Sequence, residues 1–470
     1  MNCKNRSLVR FLLLGLSFVV TNQIKAQSVT NLHYFNGING SRPYAGALLS
    51  GNTLYGTTAN GGPSGNGTVF AVNTDGSEFR TLYSFSGTEG ATPYGGLVLS
   101  GDTLFGTTSQ GGSWSNGIVF AINTNGSGFK VLHQFTSVPQ QLGPNADGAN
   151  PSGELVLAGA TLYGTTPYGG ANGVGTLFAV TTDGLLFTNL HSFGGFTAAV
   201  PSGGLVLSGD TLYGTTTLYG LGNKGTVFSI KTDGSGFLIL HEFDQGVGSP
   251  VSYSNKDGGF PGPLTLWSNV LYGAAEWGGA SSNGTIFAVN TDGSAFRTIH
   301  TFTATSGTSL ANEDGALPMA KLLLSGNTLF GAAPKGGRFG GGTAFAIDLD
   351  GLVLSPLHSF TRSDGFGPNS LVLSDGTLYG TATIGGVNNY GTVFGLSLPL
   401  GAPVLAEIAM GENLILKWPT NFPGFTLQCT TNFGPSAVWT SDTPVPVTVN
   451  GQITVTNAIS GTQRFFRLSQ

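Results

Sequence analysis

A Leu-Tyr/Phe-Gly tripeptide recurs seven times along this 470-residue chain, in steps of about 50 to 60 residues. The copies begin at Leu54, Leu104, Leu162, Leu212, Leu271, Leu329 and Leu378. Each copy lies among four short apolar runs that turn residues separate, as at 205–207, 211–215, 225–230 and 237–243 in the fourth copy. A period near 50 residues with four β-type runs predicts the blades of a β-propeller.

The fourth run of each copy indicates how such a ring would close. Six copies carry a Leu/Ile-His/Tyr-x-Phe pattern in this run, and the seventh copy ends near Leu400 without one. The missing run stands at the other end of the chain, as Leu32-His33-Tyr34-Phe35. Because ring closure leaves no free strand edge, we predict an all-β, seven-bladed β-propeller over 27–399 that the N-terminal strand closes. An open β-solenoid is the alternative, and it gives no reason for an isolated first strand.

The N-terminus is typical of a secretory signal peptide over 1–26. Lys4, Arg6 and Arg10 precede an apolar stretch, 11–20, that is too short to span a bilayer, and a plausible cleavage site follows Ala26. We expect a secreted or cell-surface protein with no membrane span after signal removal. The mature chain would hold one cysteine, Cys429, and therefore no internal disulfide.

Charge and composition limit the partners. Only 9% of the residues are charged and the formal net charge is −5, whereas phosphate neutralisation needs clustered Lys and Arg. Nucleic acid is therefore excluded as a partner, and we expect a monomer.

The repeat ends near Leu400, and the composition changes there. We predict a linker at 400–403 and a small β-sandwich of immunoglobulin or fibronectin type III character over 404–470, built from six or so short strands. This second domain is a candidate attachment or sorting module.

The links between runs divide the predicted propeller into two faces. The first-to-second and third-to-fourth links are tight turns rich in Asx-Gly, which form hairpins because both residue types tolerate positive φ. The other two links of each copy are longer and lie on the opposite face, with the longest at 136–153, 244–262 and 303–317. Long loops on a rigid scaffold often carry recognition, so we predict a binding site on this long-loop face.

One slot in the second-to-third loops differs in every copy, although the neighbouring Leu-Tyr-Gly hardly varies. It holds Asn60, Gln110, Tyr168, Leu218, Trp277, Lys335 and Ile384. Such diversity is typical of a binding surface, and drift at a tolerant loop tip is the alternative. From these loops we select as ligand-binding candidates Trp114, Tyr168, Tyr219, Lys224, Glu276, Trp277, Lys335, Arg338 and Tyr390. Aromatic rings with a few polar groups suit a sugar or a peptide.

The histidines and the loop aspartates favour structure over chemistry. All six histidines occupy one slot of the fourth run, and the remaining copy has Tyr83 there, which predicts a packing site rather than a metal site. Asp147, Asp257, Asp314 and Asp364 precede glycine in the blade-to-blade loops. They could form a cation-binding ring, but we favour turns that position the following proline. We predict no catalytic residue, no metal and no cofactor.

The repeat resembles a known family of exported proteins. The run from Leu205 to Thr216, then Gly225-Thr226-Val227-Phe228, Thr232-Asp233-Gly234 and Leu240-His241-x-Phe243, resembles the GloVer-type tandem-repeat exoproteins of bacteria, the "choice-of-anchor" group. The resemblance covers roughly 29–400. It implies an exported or surface-associated protein with a variable C-terminus and no known activity. This chain ends in Phe465-Phe466-Arg467-Leu468, without the hydrophobic tail or Pro-Glu-Pro motif of anchored members.

The leading functional hypothesis is an extracellular, non-enzymatic binding protein whose long-loop face recognises a polysaccharide or a cell-surface protein. One alternative is a propeller hydrolase or lyase that acts on polysaccharide through carboxylates near the channel mouth. The other is a structural surface or matrix protein in which the repeats act as a spacer.

Overall fold

The structure is a computed structural model. It describes residues 28–138, 143–194, 198–201, 203–220, 222–249, 252–398, 406–410, 413–419, 426–430, 440–441, 445–449, 452–458 and 465–469. The predicted signal peptide and linker lie outside these residues.

Antiparallel four-stranded sheets dominate the fold, and no helix occurs in the described ranges. The first sheet contains β2 (Leu48–Ser50), β3 (Thr53–Thr58), β4 (Thr68–Asn73) and β5 (Arg80–Ser84). The second contains β6 (Val98–Ser100), β7 (Thr103–Thr108), β8 (Ile118–Asn123) and β9 (Lys130–Gln134). The third contains β10 (Val156–Ala158), β11 (Thr161–Thr166), β12 (Thr176–Thr181) and β13 (Phe187–Ser192). Each sheet corresponds to one copy of the repeat.

The next three sheets follow the same order. The fourth contains β14 (Val206–Ser208), β15 (Thr211–Thr216), β16 (Thr226–Lys231) and β17 (Leu238–Glu242), and the hairpin β18 (Val247–Ser249) and β19 (Ser252–Ser254) follows it. The fifth contains β20 (Gly259–Trp267), β21 (Val270–Trp277), β22 (Thr285–Asn290) and β23 (Arg297–Thr301). The sixth contains β24 (Leu323–Ser325), β25 (Thr328–Ala333), β26 (Thr343–Asp348) and β27 (Val353–Ser359).

The last sheet of the repeat region combines both ends of that region. It contains β28 (Phe366–Pro368), β29 (Val372–Ser374), β30 (Thr377–Ile384) and β31 (Thr392–Ser397), and its outer strand is β1 (Ser28–Tyr34). His33 pairs with Val393 beyond a register shift, as Tyr83 pairs with Val69 in the first sheet. The Phe35 amide donates to the Gly391 carbonyl at 3.1 Å. The first strand therefore takes the place of a fourth strand in this sheet.

The C-terminal region forms two separate sheets. One contains β32 (Ala406–Met410), β33 (Asn413–Pro419), β36 (Gln452–Ala458) and β35 (Val447–Val449), and the other pairs β34 (Thr426–Thr430) with β37 (Phe465–Ser469). Cys429, on β34, is buried. These strands agree with the predicted all-β character of this region.

Each repeat has a glycine in its second strand because the phenylalanine ring of the third strand leaves no room for a side chain there. Gly214 on β15 pairs with Phe228 on β16, and a Cβ on this glycine would lie 2.6 Å from the Phe228 ring. A side chain at this position is therefore excluded by the phenylalanine ring of the neighbouring strand.

Apolar side chains fill the space between consecutive sheets. In the first such cluster, Phe85 from the first sheet packs beside Leu104 and Phe120 from the second. Equivalent clusters connect each following pair, and a further one joins Val393 of the last sheet to Leu54 and Phe70 of the first. The result is a propeller-like array of sheets with its core between the blades.

We predict that Phe35→Ala destabilises the protein as much as Phe85→Ala does. Both rings are buried and both lie edge-on to a third-strand phenylalanine, at 5.2 Å from Phe70 and 5.3 Å from Phe120. Each truncation should cost about 3–5 kcal/mol in denaturant unfolding. A cost below about 1 kcal/mol at Phe35 alone would contradict the equivalence of β1 with the internal outer strands.

Candidate functional site

A cavity of about 560 Å³ opens where all seven repeat sheets meet. Its walls are the short segments between the recurring proline and the residues that pair with the Leu-Tyr/Phe-Gly strand of each sheet, which we call the lead-in segments. They comprise 44–47, 94–97, 152–155, 203–205, 262–264, 319–322 and 369–371. Phe260 and Pro261 also line the cavity, as do Thr217 and Glu276, which lie at the ends of second strands. Because second strands end and lead-in segments begin at the same edge of each sheet, the cavity lies on the long-loop face.

Two tyrosines form an aromatic wall of the cavity. Tyr44 and Tyr94 each follow a proline, and their ring centroids lie 5.1 Å apart with the planes inclined at 56°. Each is 39% exposed, so the rings remain available to a ligand. Burial raises the pKa of Tyr94, and Tyr44 adds to this effect while Arg42 opposes it.

An ion pair crosses the cavity. Lys321 Nζ, from the sixth sheet, donates to Glu154 Oε2, from the third sheet, at 2.9 Å. The equivalent lead-in position is Gly46, Gly96 and Gly204 in three other sheets. Glu154 lies against two of these glycines, since a Cβ at Gly204 would be 3.2 Å from its Cβ and one at Gly96 would be 3.4 Å from its Cγ. About a third of each partner is exposed, so the pair contributes little stability.

Glu276 is the second carboxylate of the cavity wall. It lies near the end of β21, where burial raises its pKa and a hydrogen bond with the Trp277 side chain partly opposes that rise. Within the described part of the chain, no Lys, Arg or His reaches salt-bridge distance of it. A desolvated carboxyl group beside aromatic rings can bind a cation or exchange a proton.

The nine predicted site residues do not gather in one pocket. Glu276 alone among them lines the cavity, and Trp277 contacts its carboxylate. Lys224 lies 5.5 Å from the ring of Phe260, itself a cavity residue, and the Tyr219 amide donates to Asn223 at 3.1 Å.

The remaining predicted residues are spread over the long-loop face. Lys335 lies 5.0 Å from the Phe366 ring, and Arg338 pairs with Glu313 at 3.3 Å. Trp114 and Tyr390 are exposed, and Tyr168 is half-buried.

The variable slot has a common backbone role that the sequence did not reveal. In every sheet the slot residue pairs with the residue two places before the proline that precedes the lead-in segment, as Tyr168 pairs with Ala149 and Trp277 with Gly259. The other five pairs are Ser41 with Asn60, Ala91 with Gln110, Ala199 with Leu218, Ala316 with Lys335 and Phe366 with Ile384. Since the backbone holds the loop in place, the side chain can vary.

An asparagine anchors each of the three longest loops. In the first sheet the Gly62 amide donates to the Gly37 carbonyl at 2.9 Å. Where the loop is long, an Asn side-chain oxygen accepts the equivalent bond, from Gly170 to Asn145, Gly279 to Asn255 and Gly337 to Asn312. In these three loops the asparagine side chain therefore takes the place of the backbone carbonyl.

The histidines pack as predicted, but the loop aspartates have another role. The carboxylates of four loop aspartates each lie within hydrogen-bond distance, 2.8 to 3.0 Å, of Nε2 of the histidine in the preceding outer strand. The four are Asp147, Asp257, Asp314 and Asp364. Burial raises the pKa of Asp147, but hydrogen bonds with His133 and Thr136 outweigh it and the pKa falls below its usual value. These pairs fasten the loop to its own sheet. In the described residues no three His, Cys, Asp or Glu side chains converge as metal ligands.

Sequence reasoning missed the most suggestive residues of the cavity, which are Tyr44, Tyr94, Glu154, Phe260 and Lys321. A copy-by-copy comparison of the lead-in segments carried the signal, because two charged residues replace glycine there. The sequence did not indicate that Glu154 and Lys321 form an ion pair, because they are 167 residues apart in the chain.

The sheets and the cavity define a β-propeller-like tandem-repeat protein. The family model described as the Gloeobacter/Verrucomicrobia repeat matches residues 15–145, 138–265 and 249–409. The chain therefore belongs to this repeat family, as the sequence resemblance indicated. The described residues contain no helix long and apolar enough to cross a membrane.

Solved structures with a similar fold include several enzymes. An oligogalacturonate lyase from Vibrio parahaemolyticus has a TM-score of 0.50 at 11% identity, covering 80% of this chain and 96% of the lyase. A puromycin-hydrolyzing peptidase from Mycobacterium tuberculosis has a TM-score of 0.49 at 12% identity, covering 82% and 58% of the two chains. An oligogalacturonate lyase in complex with manganese has a TM-score of 0.47 at 12% identity, covering 80% and 95%. At these identities the likeness concerns the fold alone. No curated protein matched the chain.

We predict that His33→Tyr reduces the loss of thermal stability in acid. Burial lowers the pKa of His33 to about 4, against a hydrogen bond from Asn39 that raises it. Its contribution to stability is complete above the unfolded pKa, near 6.5, and is lost as the pH falls towards 4. Tyrosine fits this slot, since Tyr83 stacks on Phe129 at 3.8 Å as His33 stacks on Phe79 at 3.5 Å.

Melting temperatures at neutral pH and in mild acid measure this effect. The variant should lose less between the two than the parent does. An equal loss in both proteins would show that His33 does not contribute to acid sensitivity.

Proposed function

We propose that the repeat sheets are seven blades of a closed ring and that β1 completes the last blade. Three observations support this: β1 pairs with β31, an apolar cluster joins the last sheet to the first, and all seven lead-in segments line one cavity. The two C-terminal sheets would form the predicted sandwich and serve as the attachment or sorting module.

The function we propose is that of an exported, secreted or cell-surface binding protein for carbohydrate. The signal-like N-terminus supports export. The observation that carries the binding role is the central cavity, because its 560 Å³ falls within the range of small-ligand sites and aromatic rings and polar groups converge there. A sugar ring could lie against Tyr44 or Tyr94 while Asn369 and the charged side chains receive its hydroxyl groups.

The predicted loop residues take a secondary place in this proposal. Trp114, Tyr390 and the variable slot residues would contact the parts of a polysaccharide that extend beyond the cavity. Their spread over the long-loop face suits an extended ligand better than a small one.

A polysaccharide hydrolase or lyase is the second candidate, and one observation favours it. Glu276, whose pKa burial raises, shares the cavity with Glu154, which Lys321 holds in an ion pair. Two carboxyl groups in such different environments can divide the roles of acid and base.

Binding of the mature protein, 27–470, to a panel of soluble polysaccharides tests the proposal. Calorimetry or affinity electrophoresis would detect binding, and reducing ends and unsaturated products would be assayed in the same samples. We expect binding without turnover, weakened about tenfold or more in the double variant Tyr44→Ala/Tyr94→Ala, because stacking contributes about 1 kcal/mol per ring.

Two exposed tryptophans provide a matched control. Trp114 is 56% exposed on the long-loop face, and Trp267 is 57% exposed in the hairpin between β20 and β21 on the opposite face. Trp267→Ala should leave binding unchanged, and Trp114→Ala should weaken only longer ligands. Product formation would favour the enzyme, and no binding to any polysaccharide would refute a carbohydrate ligand.

A further inference from the structure

The charges that face the cavity do not balance. Glu154 and Glu276 contribute carboxylates to its walls, and Lys321 contributes one ammonium group. Lys321 is already neutralised by Glu154 at 2.9 Å. Glu276 accepts a hydrogen bond from the Trp277 side chain, and within the described ranges no Lys, Arg or His forms a salt bridge with it. One carboxylate in a partly desolvated wall is thus left for the ligand.

The aromatic residues of the cavity walls also favour a positively charged ligand. Tyr44, Tyr94 and Phe260 all line the cavity, and the faces of aromatic rings attract cations. Lys224 already demonstrates this preference, since its ammonium group lies 5.5 Å from the Phe260 ring centroid. Met319, which is half exposed, also lines the cavity and adds a polarizable apolar contact.

The cations around the cavity stand outside its lining. Arg42 is exposed and acts on Tyr94 electrostatically, and Lys224 belongs to the loop behind Phe260. Neither is a wall residue of the cavity.

Resting on the proposed carbohydrate-binding function, we propose that the central cavity selects sugars that carry a free, protonated amine, such as glucosamine units. The amine would bind Glu276 and lie near the aromatic wall, while the sugar ring stacks on a tyrosine. Glu154 and Lys321 would bind hydroxyl groups of the sugar.

A matched pair of ligands tests this selectivity. Oligomers of glucosamine and of N-acetylglucosamine, equal in length and linkage, differ in the amine that acetylation neutralises. In mildly acidic buffer the mature protein should bind the glucosamine oligomer at least about tenfold more tightly, because a charge-assisted hydrogen bond is stronger than a neutral one.

Two variants assign the selectivity to its residues. Glu276→Gln keeps the shape of the side chain and should bring the two affinities within about threefold of each other, mainly by weakening the glucosamine oligomer. Tyr94→Leu, which removes the ring but keeps apolar bulk, should also reduce the ratio. Glu78→Gln makes the same charge change in the tight turn between β4 and β5, on the face opposite the long loops. This variant should retain the parent's ratio of the two affinities. Unfolding curves of each variant verify that it is folded.

The binding results distinguish a failure of amine selectivity from a failure of carbohydrate binding. Equal binding of both oligomers, or undiminished selectivity in Glu276→Gln, would overturn the inference and leave carbohydrate binding intact. Binding of a neutral polysaccharide alone would do the same. Failure of every sugar to bind would refute the proposed function together with the inference.

Discussion

Edge-to-face packing between two phenylalanines is the contact on which this architecture depends. One ring comes from the end of an outer strand, as Phe243 does, and the other from the third strand of the next sheet, as Phe287 does, with centroids 5.2 Å apart. Both rings are buried, and the second excludes any side chain from the glycine opposite it. The third-strand phenylalanine of each sheet thus packs against the phenylalanine at the end of a neighbouring sheet's outer strand. In the first sheet the partner ring is Phe35, which follows β1 and lies 5.2 Å from Phe70.

Because the phenylalanine packing lies between the sheets, the loops of the long-loop face can differ in length and sequence. His–Asp pairs fasten the loops to the outer strands, backbone pairs hold the variable slot, and asparagines anchor the longest loops. These polar bonds hold each loop in place through its backbone and through residues near its ends. The cavity has the same origin, because glycines in most lead-in segments keep the centre open and the charged pair of Glu154 and Lys321 occupies it.

The repeat made much of the fold predictable, since the spacing of Leu-Tyr-Gly gives four strands per copy and the isolated Leu32-His33-Tyr34-Phe35 indicates where β1 pairs. The role of the loop aspartates was predicted wrongly as a turn, because the partner histidine lies up to 16 residues away and only the folded loop brings it within 3.0 Å. The cavity was missed for a related reason. Its walls come from seven distant segments, and no local pattern reports which side chains meet at the centre.

Hydrogen exchange of the native protein, followed by mass spectrometry, tests most directly whether β1 closes the array. If it does, the amides of β1 should exchange only on global unfolding, with the same protection as those of β9 and β23, which are outer strands inside the chain. Exchange of β1 at the rate of exposed loops, with β9 and β23 still protected, would contradict the account. The last sheet would then have a free edge, and the cavity would lack the rigid frame on which its proposed selectivity depends.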